Sequence, residues 1–398
     1  MPKAVWLLVI GMMINVTGTS FLWPVNTIYM HDHLGRSLTV AGIVLMLNSG
    51  AGVIGNLIGG TLFDKFGGYK TVIIGLSITT ASLITLVFFH SFLPYAILLT
   101  IIGFGSGVTF PAMFAMAGTV WKEGGRKAFN AIYVAQNVGV AVGAAIGGLA
   151  ASISFEWSFI GNTLLVIVFL LLVIFGYRGM GTALHAVSPE SVLTQNKRIK
   201  NKSVFKALLV LCTGYLLAWI CYVQWTSSIA SHTQEIGIDL KQYSLLWTVN
   251  GAVIVLGQPF LNVVLKKWIH SSKAQIMIGY SIFIVSFIVV STAHAFSGFL
   301  IAMLILTIGE MFVWPGIPSI ANELAPDGRA GFYQGVVNST ATAGRMIGPV
   351  FGGFIVDQFG MNTLFGIIFG FFILSMLVTQ AFDRLIPSIK VKEKPLDI

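Results

Sequence analysis

Glu310 and Arg345 are the only Asp, Glu, Lys or Arg residues that fall well inside the long apolar runs of this sequence, each near the middle of its run. An unpaired charge at the centre of a bilayer costs roughly 2.5–3.5 kcal/mol even on lenient insertion scales, so such groups face a cavity or a partner. Two chemistries are open to them. The carboxyl and the guanidinium can neutralise each other as a structural pair, or Glu310 can take up and release a proton with Arg345 opposing it.

Polar and aromatic residues recur at helical spacing in several other runs, as expected where helices line a watery cavity. The first run offers Asn15, Thr19 and Trp23, and the seventh Tyr215, Trp219, Tyr222 and Thr226 within one narrow arc. The eighth offers Trp247, Asn250 and Gln258, and the eleventh Gln334, Asn338, Thr342 and Arg345. Tyr133, Asn137 and Trp314 are further cavity candidates. Any one stripe alone reads more readily as interhelical packing than as ligand contact. Together they predict a broad amphipathic pocket, whose aromatic faces would suit a flat or cationic ligand.

Enzyme chemistry finds no foothold. His31, His33, His90, His232 and His294 fall in outer loops without the spacing of a metal site, so no metal is expected. No G-x-x-x-x-G-K-[ST] run is present to cradle ATP, and no cofactor is expected. Cys212 and Cys221 are nine residues apart in one run, on opposite faces of a helix, and read as small apolar residues.

The elements that must position these residues follow from composition. Of 398 residues 56% are hydrophobic and 9% charged, with mean hydropathy +0.87, which is more apolar surface than one soluble core can bury. A spanning helix needs about 20 apolar residues. Twelve such runs are present: 4–29, 40–62, 71–89, 93–120, 128–153, 158–177, 204–229, 243–264, 274–293, 296–320, 331–356 and 361–382. Open sheet edges are too costly in hydrocarbon, so an all-α integral membrane fold of twelve helices is expected. Residues 1–177 form a first six-helix half, 178–203 a polar linker, and 204–398 a second half with a short tail.

The net charge of +9 reflects topology and not nucleic-acid binding. With both termini in the cytoplasm, twenty of the 23 Lys and Arg residues fall on the cytoplasmic side, Arg36 and Lys241 lie outside, and Arg345 is intramembrane. The basic run Lys197, Arg198, Lys200 and Lys202 can also touch anionic lipid.

The halves echo each other. Gly139, Gly143, Gly147 and Gly148 in helix five match Gly344, Gly348, Gly352 and Gly353 in helix eleven, both as G-x-x-x-G-x-x-x-G-G, a spacing that lets backbones approach. A second echo joins GGTLFDKFG at 59–67 and GGFIVDQFG at 352–360, at the ends of helices two and eleven, which run in opposite directions as inverted repeats do.

These residues carry a resemblance to the major facilitator superfamily, and within it to the twelve-helix drug:proton antiporters of the MdtH and LmrP type. Gly60 through Asp64, Lys65, Gly67 and Lys70 is similar to the family's cytoplasmic loop signature between helices two and three, with Gly68 at one arginine position. The resemblance gives Asp64, with Lys65 and Lys70, a part in a cytoplasmic gate between the halves. Gly139, Gly143, Gly147 and Gly148 resemble the fifth-helix antiporter signature, with Ala144 in place of its proline, whereas Gly348-Pro349 keeps it in helix eleven. Gly309-Glu310 through Pro315, Asn322, Pro326, Arg329 and Gly335 resemble helix ten and its following loop. Ile101 stands where relatives often carry a helix-four arginine, and no acid accompanies Tyr133, Gln136 and Asn137 in helix five.

The resemblance implies a transporter working by alternating access, exporting amphipathic drugs or other small molecules against protons from a plasma or inner membrane, and acting as a monomer. A sugar, metabolite or lipid transporter on the same scaffold remains open, as does a receptor or scaffold that moves nothing.

Overall fold

The computed structural model describes residues 1–22, 26, 29–36, 38–89, 91–178, 180, 202–238, 240–269 and 271–385. Among them are twelve long helices and no strand. In the first half of the chain these are α1 (Lys3–Leu22), α2 (Leu38–Phe66), α3 (Gly68–Phe88), α4 (Phe92–Val120), α5 (Arg126–Ile153) and α6 (Phe155–Gly176). In the second they are α7 (Lys202–Tyr222), α8 (Leu240–Trp268), α9 (Ser272–Ser291), α10 (Phe296–Leu324), α11 (Ala330–Phe359) and α12 (Met361–Ala381). A π-helical turn at Tyr29–His33 precedes α2, and a short helix, Ser228–Glu235, precedes α8.

Eleven of the twelve are long and apolar enough to cross a membrane. The exception, α11, has the length, at 30 residues, but carries Gln334, Asn338, Thr342 and Arg345 among its apolar residues. The chain is a multi-pass membrane protein. Large apolar side chains recur three or four apart on the outer faces, as with Leu164, Val168, Leu171 and Phe175 of α6 or Leu256, Phe260 and Val263 of α8. Such stripes are stable against lipid and not against water.

Buried apolar residues form two clusters, one drawn from Leu8 to Tyr177 and the other from Val204 to Phe382 with Tyr133 added. Most of the polar stretch between them, with its basic run to Arg198 and Lys200, lies outside the described residues; Lys202 and Ser203 already belong to α7. Cys212 and Cys221 are buried and free, as apolar packing residues should be.

Several helices outrun their apolar segments. α2 extends to Phe66 and not Leu62, and α3 begins at Gly68, so the eight residues expected as a loop shrink to Gly67 alone. A helix of 29 residues is about 43 Å long, well beyond the ~30 Å hydrocarbon layer, and its polar last turn projects into water. Gly67 turns the corner at φ +82°, where only glycine is comfortable, after its N–H bonds Phe63 O at 2.8 Å. Gly360 repeats the corner between α11 and α12 at φ +79°, its N–H 2.9 Å from Val356 O. The nine-residue echo between α2 and α11 is thus explained by a shared local corner.

The two glycine ladders are seams between helices. A Cβ on Gly139 would lie 2.8 Å from Met13 O, one on Gly143 would run into the Thr17 carbonyl, and one on Gly147 would lie 2.6 Å from Phe21 Cα, so α5 meets α1 backbone to backbone. On α11, a Cβ at Gly344 would come to 2.5 Å from Trp219 Cβ, and one at Gly348 or Gly352 would collide with Val223 or Gln224 beyond α7. The surroundings of Gly148 lie outside the described residues, and Gly353 has open space.

Candidate substrate and proton site

Glu310 sits on α10 and is only 3% exposed. Its Oε1 accepts a hydrogen bond from Asn250 Nδ2 of α8 at 2.7 Å, and its Oε2 one from the Tyr133 hydroxyl of α5 at 3.4 Å. Tyr222 of α7 and Trp314, one turn further along α10, lie beside it as further polar neighbours. Asn250 is itself fixed by Thr307 Oγ1 at 2.9 Å. Every partner is neutral. Hydroxyls can donate or accept, so Tyr133 and Tyr222 can serve the carboxyl group in either protonation state.

Arg345 is not among those partners. Its Cζ lies 4.7 Å from the ring centre of Trp219, and its Nη2 donates to Thr342 Oγ1 at 3.3 Å. Trp314 stacks on Trp219 at 4.4 Å and 12°, so the guanidinium and the second indole must cover opposite faces of Trp219. Tyr222 closes the group edge-on against both indoles, 5.4 Å from Trp219 and 5.2 Å from Trp314, and Tyr215 meets both as well. Among the described residues neither Glu310 nor Arg345 forms an ion pair, and the pairing that the sequence left open is absent.

Arg345 is also exposed. The lipid-facing residues of α11, Ile347, Val350 and Phe354, point roughly 140–200° away from it around the helix. Its exposure therefore opens into the interior of the bundle and not onto lipid.

Of the remaining sequence candidates, Trp247 borders the group, 6.4 Å from Tyr222 with its Nε1 held by the Tyr243 hydroxyl at 2.9 Å. Others turn inward on their own helices. Thr19 bonds Val16 O, Asn137 bonds Tyr133 O, and Asn338 bonds Gln334 O, each satisfying a local carbonyl. Asn15 is buried with its Nδ2 unpartnered, and Gln258 is buried with both amide atoms unpartnered, so neither bonds the Glu310 group. Trp23 lies outside the described residues.

A second set of contacts closes the end of the bundle that carries Lys3 and Leu385. Asp64, in the last turn of α2, accepts the backbone N–H of Gly331 at 2.8 Å on Oδ1 and of Phe332 at 2.9 Å on Oδ2. These are orphan donors at the start of α11, where the helix dipole also favours a negative charge. The seam continues as Gly60 meets Gly331 backbone to backbone, Gly335 meets Asn56 O, Ser339 Oγ donates to Val53 O at 3.1 Å, and Asn56 Nδ2 donates to Thr342 at 3.3 Å. Thr342 therefore belongs to this seam as well as to Arg345. Toward the start of α2 and the end of α11 there is open space at the glycines: a Cβ on Gly42, Gly50 or Gly353 would meet nothing within 4 Å. Of the expected gate residues Asp64 alone joins the helices. Lys65 lies over Phe66, Lys70 is exposed, and Gly67 makes the corner.

Sequence reasoning missed the partner of that latch. Arg126, in the first turn of α5, donates from Nη2 to Ile269 O at 2.9 Å, at the end of α8, and from Nη1 to Gln275 Oε1 at 3.0 Å. Glu323 of α10 lies close enough to attract it. A cation at a helix start opposes the dipole of its own helix, and that misfit was the one available signal.

Comparison with known proteins agrees with this architecture. The family model described as Major Facilitator Superfamily matches residues 8–346 and 229–396. An uncharacterised MFS-type transporter of Bacillus subtilis, YttB, is 58% identical over 398 residues, covering all of both chains. The multidrug resistance protein MdtH of Aeromonas hydrophila is 22% identical, covering 88% of this chain and 87% of its own. Among solved structures, the human organic anion transporter MFSD10 superposes with a TM-score of 0.74 at 14% identity, covering 96% of this chain and all of its own, a likeness that speaks for the fold alone.

Proposed function

This chain belongs to the major facilitator superfamily and is a transporter and not an enzyme, and we propose that it exports amphipathic small molecules in exchange for protons. The observation that carries the reading is Glu310: a buried carboxyl group at mid-bundle, bonded by neutral donors on α5 and α8 with Tyr222 and Trp314 beside it, and left unneutralised by Arg345. A carboxyl group held this way can change its charge without breaking an ion pair, and it touches helices from both halves of the chain. Movement of α5 against α8 and α10 alters its donors, which is how a proton site becomes linked to alternating access.

The count of basic residues supports placing both termini in the cytoplasm of a cell with this protein in its plasma or inner membrane. With that orientation the seam at Asp64 and Arg126 closes the cytoplasmic side and the cavity opens outward. Residues 1–177 and 204–398 act as the two rocking halves of a monomer. A relative that is a multidrug resistance protein supports drugs as the ligand class. The test is purified protein in liposomes under an imposed pH gradient, with a panel of anionic and cationic fluorescent dyes. Gradient-dependent dye movement that a protonophore abolishes is expected, and indifference of every dye to the gradient would refute proton exchange.

A further inference from the structure

We infer that Arg345 and the indole group beside it form a subsite for the acidic group of an amphipathic organic anion. The inference rests on the cavity being the substrate site. Arg345 is the exposed charge of the bundle interior, with no carboxylate partner among the described residues, whereas Glu310 is buried behind Asn250, Tyr133, Tyr222 and Trp314. A cation entering the cavity finds the acid already enclosed. An aromatic cage for a cation needs free ring faces, and here one face of Trp219 is covered by Trp314 and the other by the guanidinium. A carboxylate, sulfonate or phosphate can instead take the fork of N–H donors that Thr342 leaves unused, while a flat apolar body lies along the edges of Tyr222 and Trp247. An inside-negative membrane potential drives such an anion outward, in keeping with export.

The test is calorimetric titration of the detergent-purified protein with two ligands sharing one ring system, naphthalene-2-sulfonate and a naphthyl-trimethylammonium ion. No gradient is involved, so a failed transport assay and a failed binding assay are separate results. The sulfonate is expected to bind about tenfold or more tightly than the ammonium ion. Arg345→Gln should remove that preference, and Arg345→Lys should keep its sign with weaker binding. Equal or tighter binding of the ammonium ion by the unaltered protein, no binding of either, or a preference that survives in a folded Arg345→Gln protein would each overturn the assignment.

A different observation carries a second inference: we propose that Asp357 is the counterpart of Asp64 at the opposite end of the α2–α11 pair. Along the closed seam, Asp64 meets Gly331, Asn56 meets Gly335 and Thr342, and Val53 meets Ser339, pairs whose numbers sum to 391–398, as in antiparallel helices packed within one helical turn of a constant register. Continued to the open end, that register brings Asp357 to the start of α2, as Asp64 stands opposite the first turn of α11. Asp357 and Asp64 hold the same place in the two echoing stretches, three residues before Gly360 and Gly67. Asp357 is exposed here, and a Cβ on Gly42 or Gly353 would meet no neighbour. When the two helices swing together at that end, its carboxylate would accept from the backbone N–H groups of Leu38 and Thr39 at the start of α2 and hold the opposite closed state.

Distances between spin labels at Lys127 and Asp327, on the end now closed, and at Gly35 and His294, on the end now open, report both states. Asp357→Asn should deplete the state closed at the Gly35 end and Asp64→Asn should enrich it, each by about fivefold or more. Depletion in neither variant, or shifts of the same sign in both, would overturn the mirrored latch.

Discussion

The guanidinium of Arg345 lies over the ring of Trp219, whereas the carboxyl group of Glu310 takes its hydrogen bonds from Asn250 and Tyr133, and the two do not pair. The two intramembrane charges thus have separate surroundings. Glu310 is held by neutral donors that tolerate a change of protonation, and Arg345 is exposed beside Trp219.

Asp64→Asn should lower transport turnover while leaving ligand affinity nearly unchanged, because the latch biases conformations without contacting ligand. Asparagine keeps an acceptor for one N–H and loses the charge that the start of α11 favours, a loss of about 1–2 kcal/mol. That corresponds to roughly a five- to thirtyfold shift between closed and open forms. Turnover and binding measured side by side decide it; a large affinity loss at normal turnover contradicts the latch.

The glycine seams give a stability contrast. Gly143→Val drives a side chain into the Thr17 carbonyl and should destabilise the α1–α5 seam by roughly 1–3 kcal/mol, whereas Gly353→Val adds atoms where nothing lies within 4 Å. Thermal unfolding in detergent should separate the two variants clearly. Equal melting temperatures would mean the seam relaxes freely.

Topology is open to a labelling test that needs no substrate. Cys212 and Cys221 are buried, so single cysteines can be added to the natural background. A cysteine at His294 should react with an impermeant thiol reagent added outside intact cells, and one at Lys70 should not. The reverse pattern would invert the orientation and make the open end cytoplasmic.

Much of this was legible in the sequence because lipid leaves little choice: twelve apolar runs must be twelve helices, and they are. The residues around Glu310 were also legible singly, since Tyr133, Tyr222, Asn250 and Trp314 stand out as polar or aromatic groups on apolar helices. Their grouping was not. Whether Arg345 reaches Glu310 depends on how α7 inserts Trp219 between α10 and α11, a contact between segments about a hundred residues apart that no helical period encodes. The corner at Gly67 was hidden because Asp64 and Lys65 look like loop residues although they complete a helix. Arg126 was read as one more topological cation, and its bond to Ile269 O depends on the end of a helix more than a hundred residues away.

The central claim is that Glu310 carries the proton that drives export. Glu310→Gln keeps shape and can still accept from Asn250 but cannot ionise, and the most direct measurement is transport by that variant in proton-loaded vesicles, uphill and downhill, beside the unaltered protein. The expected result is that concentrative, gradient-driven transport is lost while downhill movement of the same ligand continues. Accumulation to the unaltered level under the same gradient would contradict the claim, make Glu310 a structural residue, and place the coupling elsewhere.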